Sequence, residues 1–164
     1  MITVRRVRAD EVEAYKRVRL AALADSPSAF GSTYEREVVL TDDEWAARVA
    51  GSCTGDARAT FLALDGDEVV GLVGGYRDFG DVTELISMWT DPRARRSGAG
   101  RALVNAVLDH ARATGASAVE LWVTTGNDPA QRLYESMGFE ITGDVKPHPN
   151  DPCANETRMR LRLR

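Results

Sequence analysis

Midway along the chain the way in which strands are connected changes, and that change narrows the fold sharply. Thr60–Leu64 and Glu68–Tyr76 both read as strands, and Asp65-Gly66-Asp67 between them supplies the residues of a tight hairpin turn. A third run, Val82–Thr90, stops at Asp91-Pro92 and gives way to a glycine-bearing stretch ending at Gly100. Leu103, Val104, Val107, Leu108 and Ala111 then recur at helical spacing until Thr114-Gly115, and Val119–Thr124 returns to strand character. Hairpins thus precede strand–helix–strand units, which predicts an α/β (α+β) chain with a mixed sheet and helices on both faces.

The flanks fill out this frame. Ile2–Val7 alternates as a first strand, and Asp10 is placed to cap a helix carrying Val12, Tyr15, Val18 and Ala22. Asp25-Ser26-Pro27 breaks that helix, and Ala29–Leu40 reads as loop or irregular helix. Thr41 with Glu44 forms a capping box for a short helix through Trp45 and Val49, before a turn-rich break at Gly51–Asp56. Pro129–Met137 is a helix and Phe139–Thr142 a strand. A loop with Pro147, Pro149 and Pro152 then leads to a closing strand in which Met159, Leu161 and Leu163 alternate with arginines up to Arg164. A length of 164 residues with neither repeats nor linkers suits one domain, 1–164.

Composition excludes several classes. No apolar run of about 18 residues occurs, and Met1–Arg6 lacks the apolar region of a signal peptide, so a cytoplasmic chain without a membrane partner is expected. Cys53 and Cys153 are neither a disulfide framework nor spaced as metal ligands, and with only His110 and His148 beside them no metal is expected. A formal net charge of −4 argues against nucleic acid as a partner. Positive charge nevertheless gathers at Arg93-Ala94-Arg95-Arg96, and acidic residues gather from Glu35 to Glu44 and at Asp78, Asp81 and Glu84.

The positive cluster opens the most informative stretch, Arg95-Arg96-Ser97-Gly98-Ala99-Gly100-Arg101, between a strand and a helix. A helix start has unpaired N–H groups and partial positive charge, and together these bind phosphate oxygens. Gly98 and Gly100 let the backbone approach a ligand closely, and the flanking arginines add charge and forked donors. The stretch has neither the Gly-Lys-Ser/Thr ending of a P-loop nor the three-glycine dinucleotide fingerprint. Read alone, it is also compatible with a simple turn.

Its spacing matches the Gln/Arg-x-x-Gly-x-Gly/Ala signature of the GNAT N-acetyltransferase superfamily, with Arg95, Gly98 and Gly100 at the fixed places. Met88-Trp89-Thr90-Asp91-Pro92 resembles the family's preceding strand and turn. Gly126-Asn127 and Ala130–Phe139 resemble its later helix and the strand after it. The resemblance covers nearly the whole chain and implies a GNAT-like, mostly antiparallel sheet of six to seven strands. It also implies acetyl-CoA as cosubstrate. Met88, Trp89 and Thr90 would then lie along the pantetheine, with Met88 and Thr90 bonding it through their backbone as a mock strand. The N–H groups of Arg96, Ser97, Gly98, Ala99, Gly100 and Arg101 would hold the pyrophosphate beside Arg95, with Asn127, Ala130 and Tyr134 by the sulfur end. A homodimer is compatible with the family.

Acyl transfer to an amine needs a proton removed from the amine, whose reference pKa is about 10.4, and a proton given to the leaving thiolate. Glu84, eleven residues before Arg95, is where several family members place their catalytic glutamate. Period-two alternation puts Glu84, Ile86, Met88 and Thr90 on one face, although Glu84 also suits a surface carboxylate. Asp78 and Asp81 are neighbours able to substitute for it. Tyr134, protonated at neutral pH, is the candidate acid; its helical spacing with Ala130, Leu133 and Met137 also suits a core residue. By the same resemblance Phe30, Tyr34, Glu35 and Glu37 would line the acceptor entrance together with Glu84; the carboxylates of Glu35 and Glu37 suit a cationic acceptor and equally a solvated loop. His148 is expected exposed, although by the same resemblance its proline-bounded loop could border the acceptor; Trp45 and Trp122 are expected buried, and Trp89 packed opposite Met88.

The reading is therefore an N-acetyltransferase acting on a small-molecule or peptide amine by direct attack in a ternary complex. A non-catalytic acyl-CoA sensor of the same fold is the alternative. An acetyltransferase acting on aminoacyl-tRNA is a third possibility, disfavoured by the acidic charge.

Overall fold

Gly66 adopts φ +62°, the left-handed conformation its turn demands, and joins strand β2 (Arg58–Asp65) to β3 (Glu68–Tyr76). The computed structural model describes residues 1–163, so Arg164 of the expected closing strand lies outside the described residues. The remaining strands are β1 (Ile2–Arg6), β4 (Val82–Thr90), β5 (Ala118–Thr124), β6 (Glu140–His148) and β7 (Asp151–Arg162). They form a single seven-stranded sheet in the order β1-β2-β3-β4-β5-β7-β6. Among the described residues only β4 and β5 pair in parallel. The mixed, mostly antiparallel sheet expected from the sequence is present.

Helices cover both faces. On what we term the back face, Leu103, Val104, Val107, Leu108 and Ala111 of α4 (Ala99–Ala113) pack on Val73, Leu85, Val119 and Leu121. On the front face, α1 (Val12–Asp25) and α3 (Asp42–Ser52) press Tyr15, Val18, Trp45 and Val49 onto Leu62, Leu72 and Trp89. Two further helices are α2 (Tyr34–Glu37) and α5 (Asp128–Ser136), the latter on the back face. No helix of the described residues is long and apolar enough to cross a membrane.

The capping box at Thr41 and Glu44 is present. Asp10, by contrast, does not cap α1. Glu11 holds the N-cap position, and its carboxylate is taken by Arg5 at 2.7 and 2.9 Å and by the Arg8 N–H at 2.8 Å. The proline-bearing loop is also a correction, because it forms the tip of the β6–β7 hairpin. β6 is the outermost strand, and a register shift falls between Pro147 and His148, so the missing proline N–H is tolerated there.

Glu37, expected among the carboxylates at the acceptor entrance, is instead spent on the protein's own arginines. It is 2% exposed, held by Arg19 Nε and Nη2 at 2.9 Å each and by Arg48 Nη1 at 2.8 Å. Burial alone raises a carboxyl pKa, but the bonds and charge of Arg19 outweigh it and hold Glu37 below the ordinary carboxylate range. The resulting stabilisation is present above the unfolded carboxyl pKa and is lost as pH falls through the lower folded value. Removing one partner of a buried pair leaves the other uncompensated, at about 3–5 kcal/mol. Glu37→Ala is expected to lose stability of that order in urea unfolding at pH 7, with a smaller loss near pH 3.

Candidate functional site

The site is built around a fault in β4. Tyr76↔Glu84, Gly75↔Leu85 and Gly74↔Ile86 pair in one register, but Leu72↔Trp89 and Gly71↔Thr90 pair in another, so β4 carries one extra residue. Ser87 sits in that bulge with φ +58°, and its hydroxyl accepts from Arg19 Nη1 at 2.7 Å. The bulge exchanges the faces beyond it. Leu85 packs in the back core and Trp89 in the front core, so Glu84 and Ile86 face front while Met88, packed against the back core, does not. The alternation that put Glu84, Ile86, Met88 and Thr90 on one face is thereby corrected. Trp89 does pack opposite Met88, and its indole N–H donates to Asp25 at 2.9 Å.

Beyond Glu84↔Glu120 the parallel strands part, and no residue from Leu85 to Thr90 pairs with β5. A cavity of about 820 Å³ fills the opening. Its back mouth is formed by Gly98, Gly100, Arg101, Ala130, Leu133 and Tyr134, and its front mouth by Ser28, Ile86, Trp122, Thr124 and Glu156. It therefore reaches both faces of the sheet.

At the back mouth, Arg96 takes φ +66° and Gly98 φ +88°, a backbone alternation that turns successive N–H groups inward. The Ser97 amide is spent on the Ala94 carbonyl and the Ala99 amide on Ser97 Oγ, while the Ser97 hydroxyl donates to the Ala94 carbonyl. Among the described residues, the amides of Arg96, Gly98, Gly100 and Arg101 take no backbone acceptor. A Cβ on Gly100 would stand 3.2 Å from Met88 Cε, so the bare backbone keeps this wall open. Thr90 Oγ1 is buried without a hydrogen-bond partner, 3.8 Å from that same point. An unspent amide set, an open glycine wall and a buried polar atom in want of a partner together fit an anionic, amide-bearing ligand.

The arginines divide. Arg93 is engaged by Asp91 and Glu68, and Arg101 Nη2 donates to Ser136. Arg95 gives Nε to the Thr90 carbonyl at 3.1 Å and Nη2 to Asp25 at 2.8 Å, so it braces the loop and occupies the Thr90 carbonyl expected to face pantetheine. Only Arg96 of this group has no side-chain partner among the described residues.

Asn127 caps α5 by accepting from the Ala130 N–H at 3.3 Å and lines the same cavity. Tyr134, 6% exposed, also lines it, packed edge-on against Phe139 at 5.7 Å. Burial pushes its phenol pKa upward. Glu84 lies where the two strands part and does not line this cavity, but its Oε2 accepts from the Tyr76 hydroxyl at 2.7 Å. That bond, with partial burial, pushes the Tyr76 phenol up to about 12.

The residues expected at the acceptor entrance scatter. Phe30 is 3% exposed under the Arg19 guanidinium, which stands 5.0 Å from its ring, while Tyr34 and Glu35 are exposed on α2 and do not line the cavity. His148 is buried, contrary to expectation. Its Nδ1 accepts from the Asn150 N–H and its Nε2 meets the Ser28 carbonyl at 2.7 Å, pinning the hairpin tip to the loop after α1. Trp45 is core as expected, whereas Trp122 lies on the front face between Lys146 at 4.3 Å and Arg158 at 4.6 Å.

Comparison with known proteins gives a consistent result. The sequence model described as "Acetyltransferase (GNAT) family" matches residues 19–139. Mycothiol acetyltransferase of Brachybacterium faecium is 31% identical over 137 residues, 81% of this chain and 39% of the relative. The chain thus spans less than half the length of the curated relatives it matches. An acetyltransferase of the GNAT family from Streptococcus pneumoniae superposes with a TM-score of 0.81 at 20% identity, over 99% of this chain and 100% of that one. The PaiA N-acetyltransferase from Thermoplasma acidophilum, solved in complex with coenzyme A, does so at 0.77 and 14% identity, over 99% of each chain.

Proposed function

The chain belongs to the GNAT acetyltransferase family, and from that premise we propose that it moves the acetyl group of acetyl-CoA to a primary amine of a small molecule or peptide by direct attack in a ternary complex. One observation carries the reading: a single cavity joins the unspent amides at the start of α4 to an unpaired β4 edge and opens on both faces of the sheet. A donor entering from the back and an acceptor from the front would meet inside it.

Acetyl-CoA supplies the activated thioester carbonyl, and the protein binds, orients and handles protons. The amides of Arg96, Gly98, Gly100 and Arg101, aided by the α4 dipole and the uncommitted Arg96 side chain, hold the pyrophosphate. Met88, which has no ladder partner, offers its backbone to the pantetheine, and Thr90 offers Oγ1 in place of its occupied carbonyl. Asn127 and Ala130 border the sulfur end with Tyr134, whose proton serves the departing thiolate. Glu84 acts as base. Because it does not line the cavity, its proton arrives through intervening water.

Titration with acetyl-CoA followed by thiol-release assays over an amine panel tests the proposal, and binding without transfer to any amine would support the sensor reading instead. Gly100→Val is expected to weaken acetyl-CoA binding by roughly ten- to a hundredfold, the loss of one charge-assisted bond to an amide pushed off its position. Calorimetric affinity equal to wild type in a folded Gly100→Val protein would remove this loop from the donor site.

A further inference from the structure

A second cavity, of about 340 Å³, lies on the front face between α1, α3 and strands β2–β4. It meets the larger one at Ile86 and Ser87, which line both. Gly74 keeps its floor open, since a Cβ there would stand 3.1 Å from Ile86 Cγ1. Tyr76, the donor to Glu84, is also in its wall.

Its charged lining is of one sign. Arg19, Arg48 and Arg58 contribute to the wall, and no carboxylate does. Arg19 is fully engaged by Glu37 and Ser87. Arg48 spends only Nη1 on Glu37, and Arg58 rests on the Tyr76 ring and approaches Asp78 no closer than 3.6 Å, beyond hydrogen-bond reach. A guanidinium carries five N–H donors in a fork that matches a carboxylate, so Arg48 and Arg58 have donors left to offer.

We propose that this cavity is the acceptor subsite and that the acceptor bears a carboxylate as well as its amine, making it an amino-acid-like molecule rather than a polycation. The carboxylate lies against Arg48 and Arg58, and the amine points to the Ile86–Ser87 junction, where the two cavities meet beside the Tyr76–Glu84 pair. This rests on the N-acetyltransferase reading above.

The test compares kcat/KM, at saturating acetyl-CoA, for amino acids against their carboxamide and decarboxylated counterparts. Charge-assisted bonds to the carboxylate are expected to favour the carboxylated member by about ten- to a hundredfold. Arg58→Gln is expected to pull that ratio towards unity, with acetyl-CoA titration verifying that the variant is folded. Transfer to amines without a carboxylate preference, or a ratio that Arg58→Gln leaves intact, overturns the subsite alone. Acetyl-CoA binding with no transfer to any amine overturns the N-acetyltransferase reading as well.

Discussion

Tyr134→Phe is expected to lower turnover by about 10²–10⁴-fold, the usual worth of a general acid, while acetyl-CoA affinity changes little. The two effects separate because the ring and the hydroxyl do different work. The ring packs against Phe139 in the back core, and phenylalanine preserves that shape. The hydroxyl has no hydrogen-bond partner among the described residues, and burial keeps it protonated well above neutral pH, so its proton is available to a leaving group. A thiolate departing without a donor leaves as the poorer leaving group. Single-turnover thiol release at saturating acetyl-CoA, paired with calorimetric binding, measures both quantities. Turnover equal to wild type would end the assignment, and a matched fall in affinity would mean that the hydroxyl only holds the cofactor.

The back half of the site was legible in the sequence because its signals are local. Gly98 and Gly100 at fixed spacing, a helix beginning directly after them and Asn127 before Pro129 are short-range features, and each specifies backbone geometry. The loop proposed to hold the pyrophosphate lies where it was expected, between β4 and the start of α4. Of the arginines that looked like phosphate ligands, Arg93 and Arg95 are turned to protein carboxylates, which local spacing does not reveal because Glu68 and Asp25 come from distant segments.

The front half was much less legible. One inserted residue at Ser87 reverses every face assignment after it, and the partners that hold the bulge, Arg19 and through it Glu37 and Arg48, come from three different helices. Alternation presumes an unbroken pleat, so Met88 and Thr90 were placed with Glu84. The acidic run at Glu35–Glu44 looked like a cation site for a related reason: burial of Glu37 depends on two arginines that the run itself does not contain. A cue existed in Arg19, a charged residue within the apolar stripe of α1, beside Val18 and Ala22. His148 and its proline neighbours misled because a loop-like composition also suits the tip of an edge hairpin.

Glu84→Gln is the sharper test of the front face. Glutamine keeps the shape and can still accept from the Tyr76 hydroxyl through its carbonyl oxygen, so the fold and the donor loop are expected to be unaffected. It cannot take a proton, and kcat/KM is expected to fall by about 10²–10⁴-fold. Of the other carboxylates on this face, Glu120 is bound by Arg160 at 2.7 and 2.8 Å, whereas Glu156 stands in the front mouth of the large cavity, 3.7 Å from Lys146 and 3.8 Å from His148 and beyond hydrogen-bond reach of either, so Glu156→Gln is the control for Glu84→Gln. Glu84, by contrast, has no cationic partner among the described residues. The variant also carries a spectroscopic signature. Tyr76 is pushed up to about 12 chiefly by its bond to the Glu84 carboxylate, so neutralising that carboxylate should bring a tyrosine titration back towards about 10. In the wild type this bond stabilises the fold fully below the unfolded phenol pKa and is lost as pH rises through about 12, so it leaves the neutral range untouched. Activity near wild type together with the shifted tyrosine titration would show that the substitution reached its target and that the base lies elsewhere. Lost activity with an unshifted tyrosine would separate the base from the Tyr76 contact, and the two results together decide whether Glu84 acts on the amine or only holds Tyr76.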